Sequence, residues 1–129
     1  MSVLETVAER AAEASPLWGS ALLPEPRGDL RFSGRCPERH LLGVETIYEG
    51  YLLHHGTSRL FDHDDRELAL LTGDYLYAAG LREICATGDL HAVGALAELI
   101  AACAARRGER VPEPDDGLWD STVAGLAPQ

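Results

Sequence analysis

Histidine and aspartate side chains cluster near the middle of the chain. His54 and His55 are adjacent, and Asp62 and His63 follow after a short gap. Imidazole nitrogens and carboxylate oxygens are common ligands of divalent metals. A site built from these four residues would suit a metal-dependent hydrolase of phosphate esters. The competing interpretation is a helix end followed by a solvated capping run, because neighbouring side chains on a helix point about 100° apart.

Three carboxylates lie inside segments that are otherwise apolar. Glu45 and Glu49 are four residues apart and therefore share one helix face, either as paired carboxylates on a groove or as a solvent stripe. The solvent stripe is the favoured interpretation. Asp74 follows Gly73 in the middle of the most apolar segment. A charge there must be paired, hydrogen-bonded or directed into a cavity, because burying it alone is costly.

Aromatic residues offer a different kind of site. Tyr51 and Tyr75, together with Leu71, could line a channel for a small apolar ligand, although core packing is the simpler role. The sequence contains no GxSxG motif, no phosphate-binding loop and no dinucleotide fingerprint. It therefore predicts no catalytic residue. No cofactor is predicted either, apart from the divalent metal considered above.

Chain length and composition limit the possible fold classes and partners. The chain has 129 residues, of which 46% are hydrophobic and 25% charged, as expected for one globular domain over residues 1–129. Its net charge of −10 disfavours nucleic acid and anionic membrane surfaces as partners. Three cysteines without CxxC spacing argue against a disulfide framework, and Cys85 and Cys103 are predicted to be core residues.

The N-terminus lacks a signal-peptide pattern, and no apolar stretch reaches the length of a membrane span. We therefore expect a cytoplasmic protein without membrane insertion.

Hydrophobic spacing and capping residues predict an all-α bundle of about four main helices. A loop is expected at 24–37, where four arginines between Arg27 and Arg39 either clamp an acidic face of the protein or contact a partner. An acidic, proline-containing tail is expected at 109–129, with one short helix around Trp119. The four main helices are predicted at 2–14, 37–55, 65–86 and 90–106.

One stretch resembles a known family. The run LALLTGDYLYAAGL, followed by GDLHAVGALAELIAACA, resembles the central helices of trans-isoprenyl diphosphate synthases. The GDYLY version is similar to the small, non-catalytic subunit of heptaprenyl diphosphate synthases. Gly73 and Asp74 match the glycine-aspartate motif. The paired aspartate-rich motifs of the active enzymes are absent, so the resemblance implies a truncated isoprenoid-synthase-like arrangement that lacks the metal-diphosphate chemistry.

The resemblance and the apolar helices together predict an accessory or interaction subunit. Segments 65–86 and 90–106 are apolar on more than one side, which is typical of helices that pack against another subunit. The expected partner is either a second copy of this chain or a prenyl synthase catalytic subunit. A metal-dependent phosphate-ester hydrolase and a binding protein for a small apolar ligand are the alternatives.

Overall fold

Helices account for all the regular secondary structure in the computed structural model, which describes residues 1–127. Within this range there are six helices and no strands, apart from one isolated bridge between Leu22 and Phe61. None of these helices combines the length and the apolarity needed to cross a membrane. The helices are α1 (Val3–Ala14), α2 (Pro16–Ser20), α3 (Glu38–His55), α4 (Arg66–Cys85), α5 (Leu90–Gly108) and α6 (Asp116–Ala124).

Helix ends follow the capping residues that the sequence predicts. Ser2, Asp65 and Asp89 each precede a helix, and each accepts a hydrogen bond from a backbone N–H two or three residues further on. Such caps satisfy N–H groups that have no partner within the helix. The predicted bounds of α1, α3, α4 and α5 are therefore confirmed to within two residues at every end.

The central pair of the fold is α3 and α4, which pack antiparallel with glycines facing each other. A side-chain carbon added at Gly80 would lie 2.9 Å from the carbonyl oxygen of Gly43, and one at Gly50 would lie 2.9 Å from that of Gly73. No Cβ atom fits at such distances. The two glycines on each helix are seven residues apart. They therefore let the two backbones approach closely along about two turns.

Two clusters of buried side chains lie on either side of this pair. One joins α3 to α5, α6 and the loop residue Phe32. The other joins α1 to α3, α4 and the connector residues Leu60 and Phe61. The C-terminal segment is more than a tail, because Trp119 is buried and Val123 lies beside it. The short helix predicted there is confirmed as α6, while the last two residues lie outside the described part.

Helix α4 differs from its prediction on one side. The prediction that Cys85 is a core residue is wrong, because Cys85 is exposed, and Leu71 on the same side of the helix is 53% exposed. The α3 side of the helix is buried, as expected. Cys103 is in the core as predicted. Helix α4 therefore presents an apolar surface that nothing within residues 1–127 covers.

Candidate functional site

Buried charges lie on α3, where the sequence favoured a solvent stripe. Glu45 and Glu49 are both fully buried, so that interpretation is wrong. Arg59, from the connector between α3 and α4, donates from Nε to Glu49 Oε1 at 2.9 Å and from Nη1 to Glu45 Oε1 at 2.7 Å. Its guanidinium also lies over the ring of Tyr48. One arginine thus compensates both carboxylates.

The same carboxylates also hold two irregular segments against α3 through hydrogen bonds. The second oxygen of Glu45 accepts the backbone N–H groups of Arg31 and Phe32, at 2.8 and 2.6 Å. The second oxygen of Glu49 accepts from the Ser58 hydroxyl and from the backbone N–H of Arg59. Every oxygen of the pair is therefore occupied by the protein itself. The arrangement is a structural anchor with no free group for catalysis.

A third buried carboxylate, Asp115, holds α6 in place. Asp115 accepts hydrogen bonds from the Tyr51 hydroxyl at 2.7 Å, from Arg106 Nε at 2.8 Å and from Arg107. Burial opposes its charge, but these hydrogen bonds hold the pKa of Asp115 below its usual range. Burial and the bond to Asp115 together raise the pKa of Tyr51. Sequence reasoning missed Asp115 and Arg59 because both lie in irregular segments.

The four arginines of the predicted loop mostly bind the protein's own acceptors. Arg31 and Arg35 pair with Asp120 on α6, and Arg39 approaches Asp89 at the start of α5. Arg27 donates to the backbone carbonyls of Ser58 and Phe61. The interpretation that this cluster clamps the chain's own surface is confirmed.

The first two predicted metal ligands, His54 and His55, contact different neighbours. His54 stacks on Tyr77 of α4, and its Nε2 lies 3.0 Å from Asp74 Oδ1 without the alignment of a hydrogen bond. His55 packs instead on Tyr51. Burial and the positive charges of His54, Arg107 and Arg66 lower the pKa of His55.

The other two predicted ligands lie at the start of α4. His63 stacks on Phe61, and its Nε2 lies 2.9 Å from the Thr72 hydroxyl. Because that hydroxyl donates to the carbonyl of Leu68, it accepts from His63. Asp62 is exposed. Among residues 1–127, no three histidine, cysteine or carboxylate side chains are grouped to hold a metal ion, so the metal hypothesis gains no support from the geometry.

The glycine-aspartate pair has a local structural role. A Cβ atom at Gly73 would lie 2.4 Å from Cδ2 of His54, so only glycine leaves room for that imidazole. The Asp74 side chain is 63% exposed and lies beside His54. Asp74 is thus paired but not buried, and its partner is a histidine that the sequence did not single out for this role.

The residues predicted to line an apolar ligand site are not brought together. Tyr51 belongs to an aromatic cluster with Tyr48 and Trp119. Tyr75 lies on another side of the molecule, against Trp18, next to a cavity of about 30 Å³, which is room for one water molecule. Leu71 is on the outer surface. No shared cavity joins the three.

An uncovered apolar surface is formed by α4 and α5 and is here named the α4–α5 face. Half-buried Tyr77, Leu81, Val93 and Ile100 form its floor and pack on the core. Its exposed apolar and small residues are Leu71, Ala78 and Cys85 from α4 and Leu90, Gly94, Ala97, Ala101 and Ala104 from α5. Exposed charged residues also lie on the outer side of α4, namely Glu67, Asp74 and Arg82.

Comparison of the chain with protein-family models, with curated proteins and with solved structures finds no match.

Proposed function

We propose that the protein is a non-catalytic interaction subunit whose α4–α5 face binds a second copy of the same chain. The observation that carries the proposal is the composition of this face. Leu90 is 76% and Leu71 53% exposed, and small residues occupy the surface between them. Large exposed apolar side chains at the ends of a contiguous apolar surface are typical of interaction sites.

The electrostatics are compatible with self-association through this face. The chain carries a net charge of −10, so most of its surface repels another copy. On the α5 part of the face the exposed residues Leu90, Gly94, Ala97, Ala101 and Ala104 carry no charge. A symmetric contact along α5 therefore brings few like charges together.

The shape of α5 also suits an antiparallel contact with its own copy. Gly94, Ala97 and Ala101 permit close approach of two helices, because small side chains let the backbones come near. With a two-fold axis at Ala97, Leu90 of one copy faces Ala104 of the other, so that a large side chain meets a small one. The same large-to-small match recurs on the other side of the axis.

A prenyl synthase catalytic subunit, the partner that the resemblance implies, stays a prediction. It rests on Gly73 and Asp74, for which the contacts with His54 already provide a structural reason. Neither the hydrolase nor the ligand-binding alternative gains a specific observation from the geometry.

Replacing Ala97 with glutamate tests the proposal, because two new charges would meet at the symmetry axis. We expect light scattering to give the wild type twice the 13.9 kDa chain mass. Like charges brought together at an interface cost several kcal/mol, so Ala97→Glu should weaken the dimer by at least about 100-fold and give the mass of one chain.

The matched control is Ala12→Glu, which adds the same charge at an exposed alanine of α1. It should remain dimeric. A wild type that stays monomeric at several hundred micromolar would overturn the proposal, as would an Ala97→Glu variant that keeps the dimer mass.

A further inference from the structure

Basic side chains from three helices surround one open depression of about 510 Å³. The end of α3 supplies His54 and His55, the start of α4 supplies Arg66, and the end of α5 supplies Arg107. Gly56 and Leu70 complete the lining, and no carboxylate lines it. In a chain with a net charge of −10, four basic groups around one depression run against the overall composition.

Not every donor group at this depression has an acceptor. Arg66 donates to the backbone carbonyl of His54 and forms no ion pair with any carboxylate of residues 1–127. His54 Nε2 is buried and has no hydrogen-bond partner in the same range, although Asp74 lies beside it. Arg107 is held at the rim by Asp115 and is still 37% exposed. Arg66 can therefore bind a ligand without breaking an ion pair, whereas His54 and Arg107 keep Asp74 and Asp115 as neighbours.

Burial is the largest cause of the lowered pKa of His55, and the charges of His54, Arg107 and Arg66 lower it further, while Asp115 opposes them. An anion placed between these groups would reverse the lowering, because a nearby opposite charge favours a protonated imidazole.

We propose that this depression binds a dianionic oxyanion, the chemical group shared by phosphate monoesters and dicarboxylates. Arg66 and the two histidines would supply hydrogen bonds to its oxygens, and Arg107 would supply charge from the rim. Guanidinium groups suit such ligands because their N–H groups match the spacing of two oxygens. Ala97, the centre of the proposed dimer contact, does not line this depression, so either proposal can fail alone.

The test is an NMR titration of the histidine rings at constant ionic strength, with sodium sulfate, disodium malonate or chloride alone. Sulfate represents the tetrahedral phosphate class and malonate the dicarboxylate class. A bound dianion should raise the pKa of His55 by about one pH unit relative to chloride. A response to one probe or to both supports the site and identifies the class of ligand.

Two arginine variants separate a built site from general charge effects. Arg66→Gln should abolish the rise in the pKa of His55. Arg82→Gln, a matched change at an exposed arginine on the same helix that also lacks an ion pair within residues 1–127, should keep it. Exposed His91 serves as the reference for nonspecific binding.

The proposal is overturned if neither probe moves the pKa of His55 more than that of His91. It is also overturned if Arg66→Gln and Arg82→Gln respond alike.

Discussion

Replacing Arg59 with methionine should lower the free energy of unfolding by about 3–5 kcal/mol, the range found when one partner of a buried ion pair is removed. Methionine fills much of the arginine volume but cannot donate to Glu45 or Glu49. Both carboxylates are fully buried, and two of their four oxygens accept from the Arg59 side chain. The variant would leave two negative charges in the core without a compensating cation.

Urea unfolding followed by circular dichroism at neutral pH measures this loss. Arg82→Met removes an exposed arginine and should change the free energy of unfolding by less than about 0.5 kcal/mol. Adding Glu45→Gln and Glu49→Gln to Arg59→Met removes the buried charges and should restore part of the stability. A loss below about 1 kcal/mol for Arg59→Met would show that the network is no stronger than a surface pair.

Replacing Gly80 with alanine should destabilise the protein by about 1–3 kcal/mol, although alanine is the better helix former. The new methyl carbon would lie 2.5 Å from Ile47 Cγ1 and 2.9 Å from the backbone oxygen of Gly43. Ile47 is fully buried and cannot move aside freely. The helices α3 and α4 would therefore have to separate.

Gly94 is the matched control, since it is also a helical glycine but has nothing within 4 Å of an added Cβ atom. Gly94→Ala should stabilise the monomer by about 0.5–1 kcal/mol through helix propensity alone. Thermal unfolding of the two variants should shift in opposite directions, at a protein concentration low enough to keep the chains dissociated. Stabilisation by Gly80→Ala would contradict the close packing of α3 on α4.

The helices could be predicted because their signals are local. Caps such as Asp65 and Asp89 and the spacing of apolar residues on α3 depend only on neighbours in the chain. The helical segment around Trp119 was also predictable from its apolar residues. What the sequence did not show was that Trp119 packs against Phe32 and Tyr48 of distant segments.

The buried charges could not be assigned from spacing. Glu45 and Glu49 have the spacing of a solvent stripe, and only the position of Arg59 in the folded connector makes their burial possible. Asp115 lies in a segment that has the composition of a solvated tail. The exposure of the outer side of α4 could not be predicted either, because Leu71 and Cys85 are of the same apolar kind as the residues on its buried side. In each case the deciding partner is remote in sequence.

Labelling of the Cys85 thiol by a maleimide at increasing protein concentration tests the central claim most directly, because Cys85 is exposed on the α4–α5 face. Burial helps raise the pKa of Cys36 and of Cys103 to about 11, so these thiols should react slowly. If the face binds a second copy, the rate at Cys85 should fall about tenfold as the dimer fills, and Ala97→Glu should remove that protection. A rate that stays constant from nanomolar to several hundred micromolar protein would contradict the proposed interface.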